Sequence, residues 1–156
     1  MLTWRDRTPE ALLADRALLE QRMTTDAPHG DLPVAEEQWD GARIREYEAL
    51  HVARGRTVLS AGAVREGRLV GFTDLQVTLA APERAHQGGT LVLREHRGHR
   101  LGARMKVAVL RELVAAFPQV RRISTYNSDA NRPMVAVNES LGFRPAGQLS
   151  SWSTHL

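Results

Sequence analysis

A basic turn that carries two glycines is the part of the sequence best suited to binding chemistry. Gly98 and Gly102 follow a short apolar run and precede a helical pattern, and neither has a side chain to block an approaching ligand. The first backbone N–H groups of a helix have no partner, and the helix dipole adds partial positive charge there. Four arginines stand around the turn: Arg94, Arg97, Arg100 and Arg104. The segment therefore predicts an anion site, most naturally for phosphate.

This turn resembles the signature of the GNAT superfamily of acyl-CoA-dependent N-acyltransferases. The signature reads Arg/Gln-x-x-Gly-x-Gly/Ala, and residues 97–102 read Arg-Gly-His-Arg-Leu-Gly. The variant found here is similar to the C-terminal half of the tandem GNAT proteins of actinobacteria. The resemblance implies that backbone amides of the turn hold the pyrophosphate of coenzyme A. Arg100 departs from the signature, because the family usually has glycine there and a bulky residue needs a tolerable backbone conformation.

A second segment, residues 127–143, resembles the GNAT motif that closes over the acyl group. In the family, a tyrosine four residues before a Gly-Phe pair often protonates the departing thiolate. Here Asn138 holds that position, and its carboxamide can donate a hydrogen bond but has no titratable proton. The two motifs together imply that the cofactor is contacted by Val92, Leu93, Arg97, Gly98, His99, Arg100, Leu101, Gly102, Ala103, Asn127, Asn131 and Met134.

The chemistry that this resemblance implies is aminolysis of a thioester. The amine must be neutral and the carbonyl oxygen needs a hydrogen-bond donor, which the resemblance places in the backbone near Val92 and Leu93. A histidine of ordinary pKa can accept a proton from an amine at pH 7. The candidate catalytic residues are Asn138, Glu83 and His86, with Asp74 as a further titratable group nearby. Each of these bases can equally be a structural or solvated residue.

The loop after the first predicted helix supplies the candidate contacts for the acceptor. In the GNAT fold this loop commonly borders the acceptor pocket, so the resemblance implies that Asp26 and His29 bind substrate. The alternative is that both are ordinary turn residues, and the sequence favours neither interpretation. Asp31 is better explained as a residue that caps the second helix.

Composition excludes several classes of protein. There is no cysteine among the 156 residues, so disulfides, thiol nucleophiles and thiolate metal sites are absent. His96 and His99 lack a third ligand in sequence, and we expect no metal. The basic segment 94–106 could attract nucleic acid, but it lacks the interleaved aromatic residues of such binders. Early charged residues argue against a signal peptide, and no apolar run reaches the ~20 residues of a membrane span. We therefore expect a cytoplasmic protein that binds neither nucleic acid nor membranes.

A sheet with helices on both faces must position these residues. The patterns follow one another as a short strand, two helices, three strands, a helix, a strand, a helix and a strand. This order predicts one domain over residues 1–156, of the α/β (α+β) class, with a GNAT-like mixed central sheet and a short first strand. The predicted strands are 2–4, 57–64, 68–79, 91–93 (in a mostly parallel region), 120–126 and 143 onward through Trp152. The first predicted helix has the Thr8 hydroxyl as its cap, Pro9 at its first position and an apolar stripe of Leu12, Leu19 and Met23. The second and third predicted helices span 34–54 and 101–117. The fourth has Pro133 in its first turn and ends at Gly142, and a loop is predicted at residues 80–86.

The sequence thus predicts an N-acetyltransferase that moves an acetyl group from acetyl-CoA directly to the amine of a small molecule. An alternative is a catalytically weak or inactive domain that binds coenzyme A and serves as a regulatory or dimerising module. Arg100, Asn138 and the short first strand favour this alternative. A homodimer is expected, because tandem relatives pair two such domains and this chain has one.

Overall fold

The computed structural model describes residues 1–26, 37–128 and 130–150. Five strands form one sheet in the order β1-β2-β3-β4-β5, in which β4 and β5 are parallel and the other neighbouring pairs are antiparallel. The strands are β1 (Leu2–Arg5), β2 (Arg56–Arg65), β3 (Arg68–Thr78), β4 (Arg84–Val92) and β5 (Arg122–Ser124). The α-helices are α1 (Leu13–Asp26), α2 (Gly41–Ala53), α3 (Leu101–Ala116) and α4 (Arg132–Ser140), and short 3₁₀ helices span Glu10–Leu12 and Arg94–His96.

The hairpin of β2 and β3 forms as predicted, because its turn residues accept a left-handed backbone. Glu66 and Gly67 have φ angles of 51° and 77°, the combination that a two-residue turn between twisted antiparallel strands requires. β1 pairs with the other edge of β2, with Trp4 opposite Ser60. The predicted short first strand is therefore confirmed.

Helices cover both faces of the sheet, as the fold prediction required. On one face α3 places Met105, Val109 and Leu113, which recur at the helical period, against apolar side chains of β2 and β3. On the opposite face Leu19 of α1 packs with Phe72 of β3, and α2 covers α1 and β2. Full burial of one such side chain stabilises the fold by about 1.5–3 kcal/mol. These two apolar clusters hold the sheet that carries the predicted site.

The first helix begins differently from the prediction. Pro9 occupies the cap position of a 3₁₀ turn, and no side chain caps it. The backbone N–H of Thr8 instead donates to Glu48 Oε1 of α2, at 2.7 Å. Thr8 therefore ties the helix start to α2, and its predicted role as a capping residue is wrong. The apolar stripe of the helix is confirmed, since Leu12 and Leu19 are buried.

The second helix starts later than predicted. Residues 37–40 are not helical, and α2 begins at Gly41 because the side chain of Asp40 accepts a hydrogen bond from the Arg43 N–H at 2.8 Å. The expected cap, Asp31, lies outside the described residues. The predicted stop is confirmed: Gly55 has a φ of 64° just after the helix.

The second half of the sheet differs from the prediction in extent and direction. β4 begins at Arg84, where a loop was predicted, and pairs antiparallel with β3 rather than lying in a mostly parallel region. Near Gly88 and Gly89 the ladder with β3 shifts register, as at a β-bulge. β5 covers three of the seven predicted residues. Residues 143–150 contain no strand, and Trp152 lies outside the described residues.

The third and fourth helices lie where the sequence placed them. α3 ends at Ala116, two residues before Pro118, and α4 ends shortly before Gly142, whose φ is 88°. α3 has 16 residues. In the ranges that the structure describes, no helix is both long and apolar enough to cross a membrane.

Candidate functional site

The glycine turn is fastened to the end of β4. The N–H of Leu93 donates to the Val70 carbonyl of β3 at 3.0 Å, which continues the ladder one residue past the strand. The chain then makes the 3₁₀ turn Arg94–His96. Nε of Arg97 donates back to the Val92 carbonyl at 2.9 Å. The arginine of the signature therefore holds the turn against the strand from which it leaves.

Two residues of the turn have a left-handed backbone. Gly98 has a φ of 83°, and Arg100 has a φ of 55° and a ψ of 24° immediately before the first residue of α3. A residue with a side chain pays about 1–2 kcal/mol for this conformation, whereas glycine does not. This explains why glycine is usual at the position of Arg100. It also shows that the turn keeps its left-handed shape with arginine there.

The backbone of the turn presents a run of unpaired donors. In the described part of the chain, the first N–H bond of α3 runs from Arg104 to the Arg100 carbonyl, at 3.1 Å. None of the six N–H groups before it donates to an atom of the described residues; they belong to Gly98, His99, Arg100, Leu101, Gly102 and Ala103. Successive N–H groups at a left-handed turn and a helix start form anion-binding concavities. The predicted phosphate site therefore has the donors that it needs.

His96 and His99 contribute to the shape of this turn. Nδ1 of His99 lies 3.0 Å from the Arg97 carbonyl and 3.4 Å from the His96 carbonyl. The imidazole of His99 therefore sits among backbone groups of the turn, and His96 contributes its carbonyl. Among the described residues, no group of three or more His, Cys, Asp or Glu side chains could hold a metal ion.

Asp26, the last residue of α1, contacts the turn. Its Oδ2 lies 3.2 Å from Arg94 Nε and 3.6 Å from Arg97 Nη2, and its side chain is 8% exposed. Asp26 also lines an open groove of about 490 Å³ between α1 and the turn, together with Leu93 and Arg94. The structure thus places Asp26 beside the predicted phosphate site. The second predicted acceptor residue, His29, lies outside the described residues.

β4 and β5 pair over only three residues each and then separate. The last pair joins His86 to Ser124. One residue further on, Thr125 Oγ1 donates to the Gln87 carbonyl at 3.2 Å. β4 continues to Val92 without a β5 partner among the described residues. The result is an opening between the two strands, with the two glycines of the bulge on its β4 side.

Val92, rather than Leu93, has its N–H directed to this opening. The N–H groups of an antiparallel strand alternate between its two sides. Because the Leu93 N–H donates to β3, the preceding N–H, that of Val92, points to the β5 side. Leu93 is therefore unavailable as the predicted donor to the carbonyl oxygen, and Val92 remains.

The candidate bases lie at different levels of the sheet. His86 is half-buried at the last β4–β5 pair, with its ring 5.7 Å from that of Tyr126. Burial, with the positive charge of Arg56, lowers the pKa of His86 below 6.5, so its imidazole is neutral at pH 7. Glu83 precedes β4, is exposed and lies 3.5 Å from Arg84 Nε. The structure brings His86 to the opening and leaves Glu83 at the far end of β4.

Asp74 belongs to a buried ion-pair network that sequence reasoning missed. Arg16 donates to its two oxygens at 2.5 and 3.1 Å, and Ser60 Oγ donates to it at 2.7 Å. Arg16 also pairs with Glu20 at 2.5 Å and stacks 3.8 Å from the centre of the Phe72 ring. Asp74 is therefore engaged and does not act as a free base. The available signal was an arginine and a glutamate one turn apart on the buried face of the first helix.

The side chains on and just before α4 differ in their hydrogen bonding and burial. Oδ1 of Asn131 accepts a hydrogen bond from the Met134 N–H at 3.4 Å and caps the helix. Asn127, before the helix, is exposed, and Met134 is half-buried. Asn138 is 4% exposed, and neither its Oδ1 nor its Nδ2 has a hydrogen-bond partner. A buried polar group left unpaired costs about 1–3 kcal/mol, so the environment of Asn138 suits a polar ligand.

Comparison with known proteins identifies related chains. The sequence profile described as the acetyltransferase (GNAT) family matches residues 16–143. A tandem GNAT protein from the clavulanic acid biosynthesis pathway, solved without AcCoA, has a TM-score of 0.76 and 36% sequence identity. That match covers 92% of this chain and 41% of the tandem protein, so this chain spans less than half of that relative. The search of curated proteins gives no match.

More distant solved structures share the fold. A ribosomal-protein-alanine N-acetyltransferase from Brucella melitensis has a TM-score of 0.72 at 18% identity. The match covers 94% of this chain and 86% of the Brucella chain. An aminoglycoside N-acetyltransferase AAC(6')-Iy in complex with CoA has a TM-score of 0.63 at 15% identity, covering 99% and 100%. At these identities the likeness concerns the fold alone. The fold described above is thus one on which acetyltransferases with different acceptors are built.

Proposed function

The chain belongs to the acetyltransferase (GNAT) family, and from this premise we propose that it transfers an acetyl group from acetyl-CoA directly to the amine of a small molecule. One observation carries the proposal: six consecutive unpaired N–H groups, from Gly98 to Ala103, stand at the start of α3 beside the opening between β4 and β5. Hydrogen-bond donors for phosphate thus lie next to an opening into the sheet. Acetyl-CoA requires this arrangement, because a long arm joins its phosphates to its thioester.

The cofactor is proposed to occupy this turn and opening. Its pyrophosphate accepts hydrogen bonds from the free N–H groups, and the exposed guanidinium of Arg100 adds positive charge. Its arm passes into the opening. There the N–H of Val92, on β4, is free to donate, and Met134 of α4 is the proposed contact from the helix. Asn127 and Asn131 stand before α4 and complete the contacts proposed for that arm.

His86 is proposed as the base. It stands where the opening begins and is neutral at pH 7, so it can take the surplus proton of the attacking amine. Val92 N–H is proposed to stabilise the negative charge that develops on the carbonyl oxygen. Placement of the amine against the thioester supplies much of the remaining rate enhancement. Asp26 and His29 remain proposed contacts of the acceptor.

Calorimetry with acetyl-CoA tests the binding part of this proposal. Gly98→Trp puts a bulky side chain among the free N–H groups and should abolish binding. Gly67→Trp is a matched control, because both glycines have a left-handed φ and open space around the missing Cβ, and Gly67 lies in the distant hairpin turn. Thermal unfolding checks that both variants fold. Binding by Gly98→Trp that equals the wild type would move the cofactor to another site.

Turnover separates an enzyme from a binding module. The alternative function, a domain that binds coenzyme A and regulates or dimerises, is favoured by Asn138, which cannot donate the proton that a tyrosine would. Release of free thiol from acetyl-CoA is measured across aminoglycosides, polyamines, amino acids and an alanine-terminated peptide. We expect an acceptor-dependent release with at least one small amine. Tight cofactor binding without release for any acceptor would favour the alternative.

A further inference from the structure

The chain's only lysine is buried and has no partner among the described residues. Lys106 is the single lysine in a sequence with 21 basic Lys and Arg residues, and it is 1% exposed on α3. Arg16, buried to a similar degree, has Asp74 and Glu20 as counter-charges. No described residue forms a hydrogen bond or an ion pair with Lys106. An isolated buried ammonium group is costly, so its presence calls for a role.

Lys106 lies level with the opening between β4 and β5. At the start of α3, a Cβ atom added to Gly102 would lie 4.0 Å from Thr90 Cγ2 of β4. α3 returns alongside β4 in the opposite direction, because it connects two parallel strands. From Gly102 to Lys106 the helix rises about 6 Å, which is the length of nearly two residues of a strand. Lys106 is therefore level with Gly88, just past the point where β4 and β5 part.

The side chain of Lys106 is directed to the β5 side of α3. On the other flank, Glu112 Oε1 accepts a hydrogen bond from Thr3 Oγ1 of β1, at the opposite edge of the sheet. Lys106 lies about 120° around the helix from Glu112, with buried Val109 between them. α4 packs against α3. The ammonium group thus belongs to the region enclosed by α3, α4 and the two separating strands.

Two further buried side chains of this region have unused hydrogen-bonding atoms. Gln87, the β4 residue that follows the last β4–β5 pair, donates through Nε2 to Thr73 Oγ1 and to the Asp74 carbonyl, but its Oε1 has no partner. Asn138 of α4 has neither atom of its carboxamide paired. Buried polar groups in folded proteins are almost always paired. Unused groups on β4, α3 and α4 together indicate a place for a polar ligand.

We propose that Lys106 is the catalytic acid of the acyl transfer and donates a proton to the sulfur of coenzyme A. This inference rests on the proposed function. In the step, the amine nitrogen forms a bond to the acetyl carbon and the C–S bond breaks. The sulfur keeps the electron pair of that bond and takes a proton from Lys106 Nζ. His86 removes the surplus proton of the new amide and releases it to water, and water then returns a proton to Lys106. Lys106 thereby supplies the proton that Asn138 lacks.

The charge state of Lys106 suits this step. Burial lowers the pKa of Lys106 from 10.5 to about 8, and no charged side chain of the described elements contributes to that change. The polar groups of the region, Gln87, Thr90 and Asn138, are uncharged. At pH 7 the ammonium form therefore predominates. Its pKa is close to the value of about 8.5 for a thiol, so the proton can pass to the sulfur without a large energy gap.

Lysine-specific ¹³C,¹⁵N labelling tests the proposal on the whole protein, because one lysine gives one Nζ signal. The pKa of Lys106 is measured in the free protein, with coenzyme A and with desulfo-coenzyme A, which lacks the sulfur. We expect coenzyme A to raise this pKa by about 1 or more, because a thiolate stabilises the ammonium form. Desulfo-coenzyme A should leave it unchanged. Equal responses to the two ligands, or none to either, would overturn the proposal.

Kinetics of Lys106→Met provide the second readout. We expect kcat to fall about 10²-fold, with the KM for acetyl-CoA unchanged. The wild-type kcat should decline above pH 8 as Lys106 loses its proton, and this decline should vanish in the variant. Arg111→Met also replaces a cationic side chain of α3 by methionine, but on the exposed side of the helix. This control should retain the wild-type kcat. An unchanged kcat and pH profile in Lys106→Met would contradict a catalytic role.

The two proposals fail in different ways. Absence of thiol release with every amine contradicts the proposed function itself. Turnover by the wild type, with no sulfur-dependent change in the pKa of Lys106, contradicts the assignment of the acid alone. Folding does not limit the test, because Lys106→Met removes a buried charge and should raise the thermal unfolding temperature. A variant that is more stable but slower is the result expected.

Discussion

At the residue scale, Arg100 adopts a strained conformation at the position before α3, where a residue with a side chain is unfavourable. Its backbone is left-handed and no side chain caps α3 at this point. Replacement by glycine removes strain of about 1–2 kcal/mol and adds about 0.5–1 kcal/mol of chain entropy to the unfolded state. We therefore expect Arg100→Gly to raise the free energy of unfolding by roughly 0.5–1 kcal/mol, measured by urea denaturation. Arg104→Gly, inside α3, should instead lower it by about 1 kcal/mol; equal losses in both variants would refute the strain.

His86 gives the reaction a pH dependence of defined sign. Burial and the nearby Arg56 lower its pKa below 6.5, so the neutral, proton-accepting form is lost only as the pH falls through that lowered value. In His86→Gln we expect kcat/KM to drop about 10²–10⁴-fold and to lose the part of its acid limb that lies below pH 6.5. Initial rates of thiol release between pH 5 and 9 measure this. Retention of the wild-type limb in the variant would assign it to the acceptor amine instead.

At the element scale, the pair of Arg16 and Asp74 joins α1 to the centre of β3. Both side chains are buried and hydrogen-bonded to each other. Removing one partner leaves the other charge buried alone, so Arg16→Met should cost about 3–5 kcal/mol of stability. Because Arg16 also pairs with Glu20, the variant that recovers most of that loss is the triple one, Arg16→Met with Glu20→Met and Asp74→Leu, which leaves no charge of the network unpaired. Chemical denaturation of the three proteins decides between a required ion pair and a replaceable one.

Elements with local signals were the ones that the sequence predicted well. The hairpin follows from two turn residues that accept positive φ, and α3 follows from apolar residues at a four-residue spacing. The start of β4 and the extent of β5 depend on pairing with strands distant in the chain. Local composition does not determine such pairing. Residues 84–86 were therefore assigned to a loop, although β4 already runs through them.

The same distinction applies to the candidate site. The phosphate turn is continuous in sequence, so its glycines, arginines and following helix could be recognised together. Arg16 and Asp74 are 58 residues apart and meet only in the fold. Lys106 looked like one more basic residue of the turn, because the helical periodicity alone did not show that α4 and the parting strands enclose its flank. Interactions across elements were the part that sequence reasoning could not supply.

For the whole molecule, Lys106 makes the free energy of unfolding change with pH in the alkaline range. Because its folded-state pKa is about 8 and its ordinary value is 10.5, the unfolded chain binds more protons between these values, and stability rises with pH across that window. The full penalty, about 3 kcal/mol, applies below pH 8. We expect Lys106→Met to be more stable than the wild type by about this amount at pH 7 and by much less at pH 10.5. Denaturant unfolding at both pH values measures the difference, and a constant gap would contradict it.

Assembly is a second expectation for the whole molecule. The relative at 36% identity is a tandem protein, of which this chain spans 41%. Two copies of the domain described here can associate into a comparable pair. We expect light scattering after size exclusion to give twice the mass of the chain at micromolar concentration. A mass equal to one chain at all concentrations would show that the domain acts alone.

The burial of the only lysine also determines how the protein withstands the reagent that it is proposed to handle. Acyl thioesters slowly modify any exposed side-chain amine without an enzyme. The surface of this chain carries arginines in place of lysines, and guanidinium groups stay protonated and do not attack such esters. An acetyl thioester bound at the proposed site would thus face arginines that it does not acetylate, so the charge of the basic segment 94–106 should not erode with time in the presence of the donor.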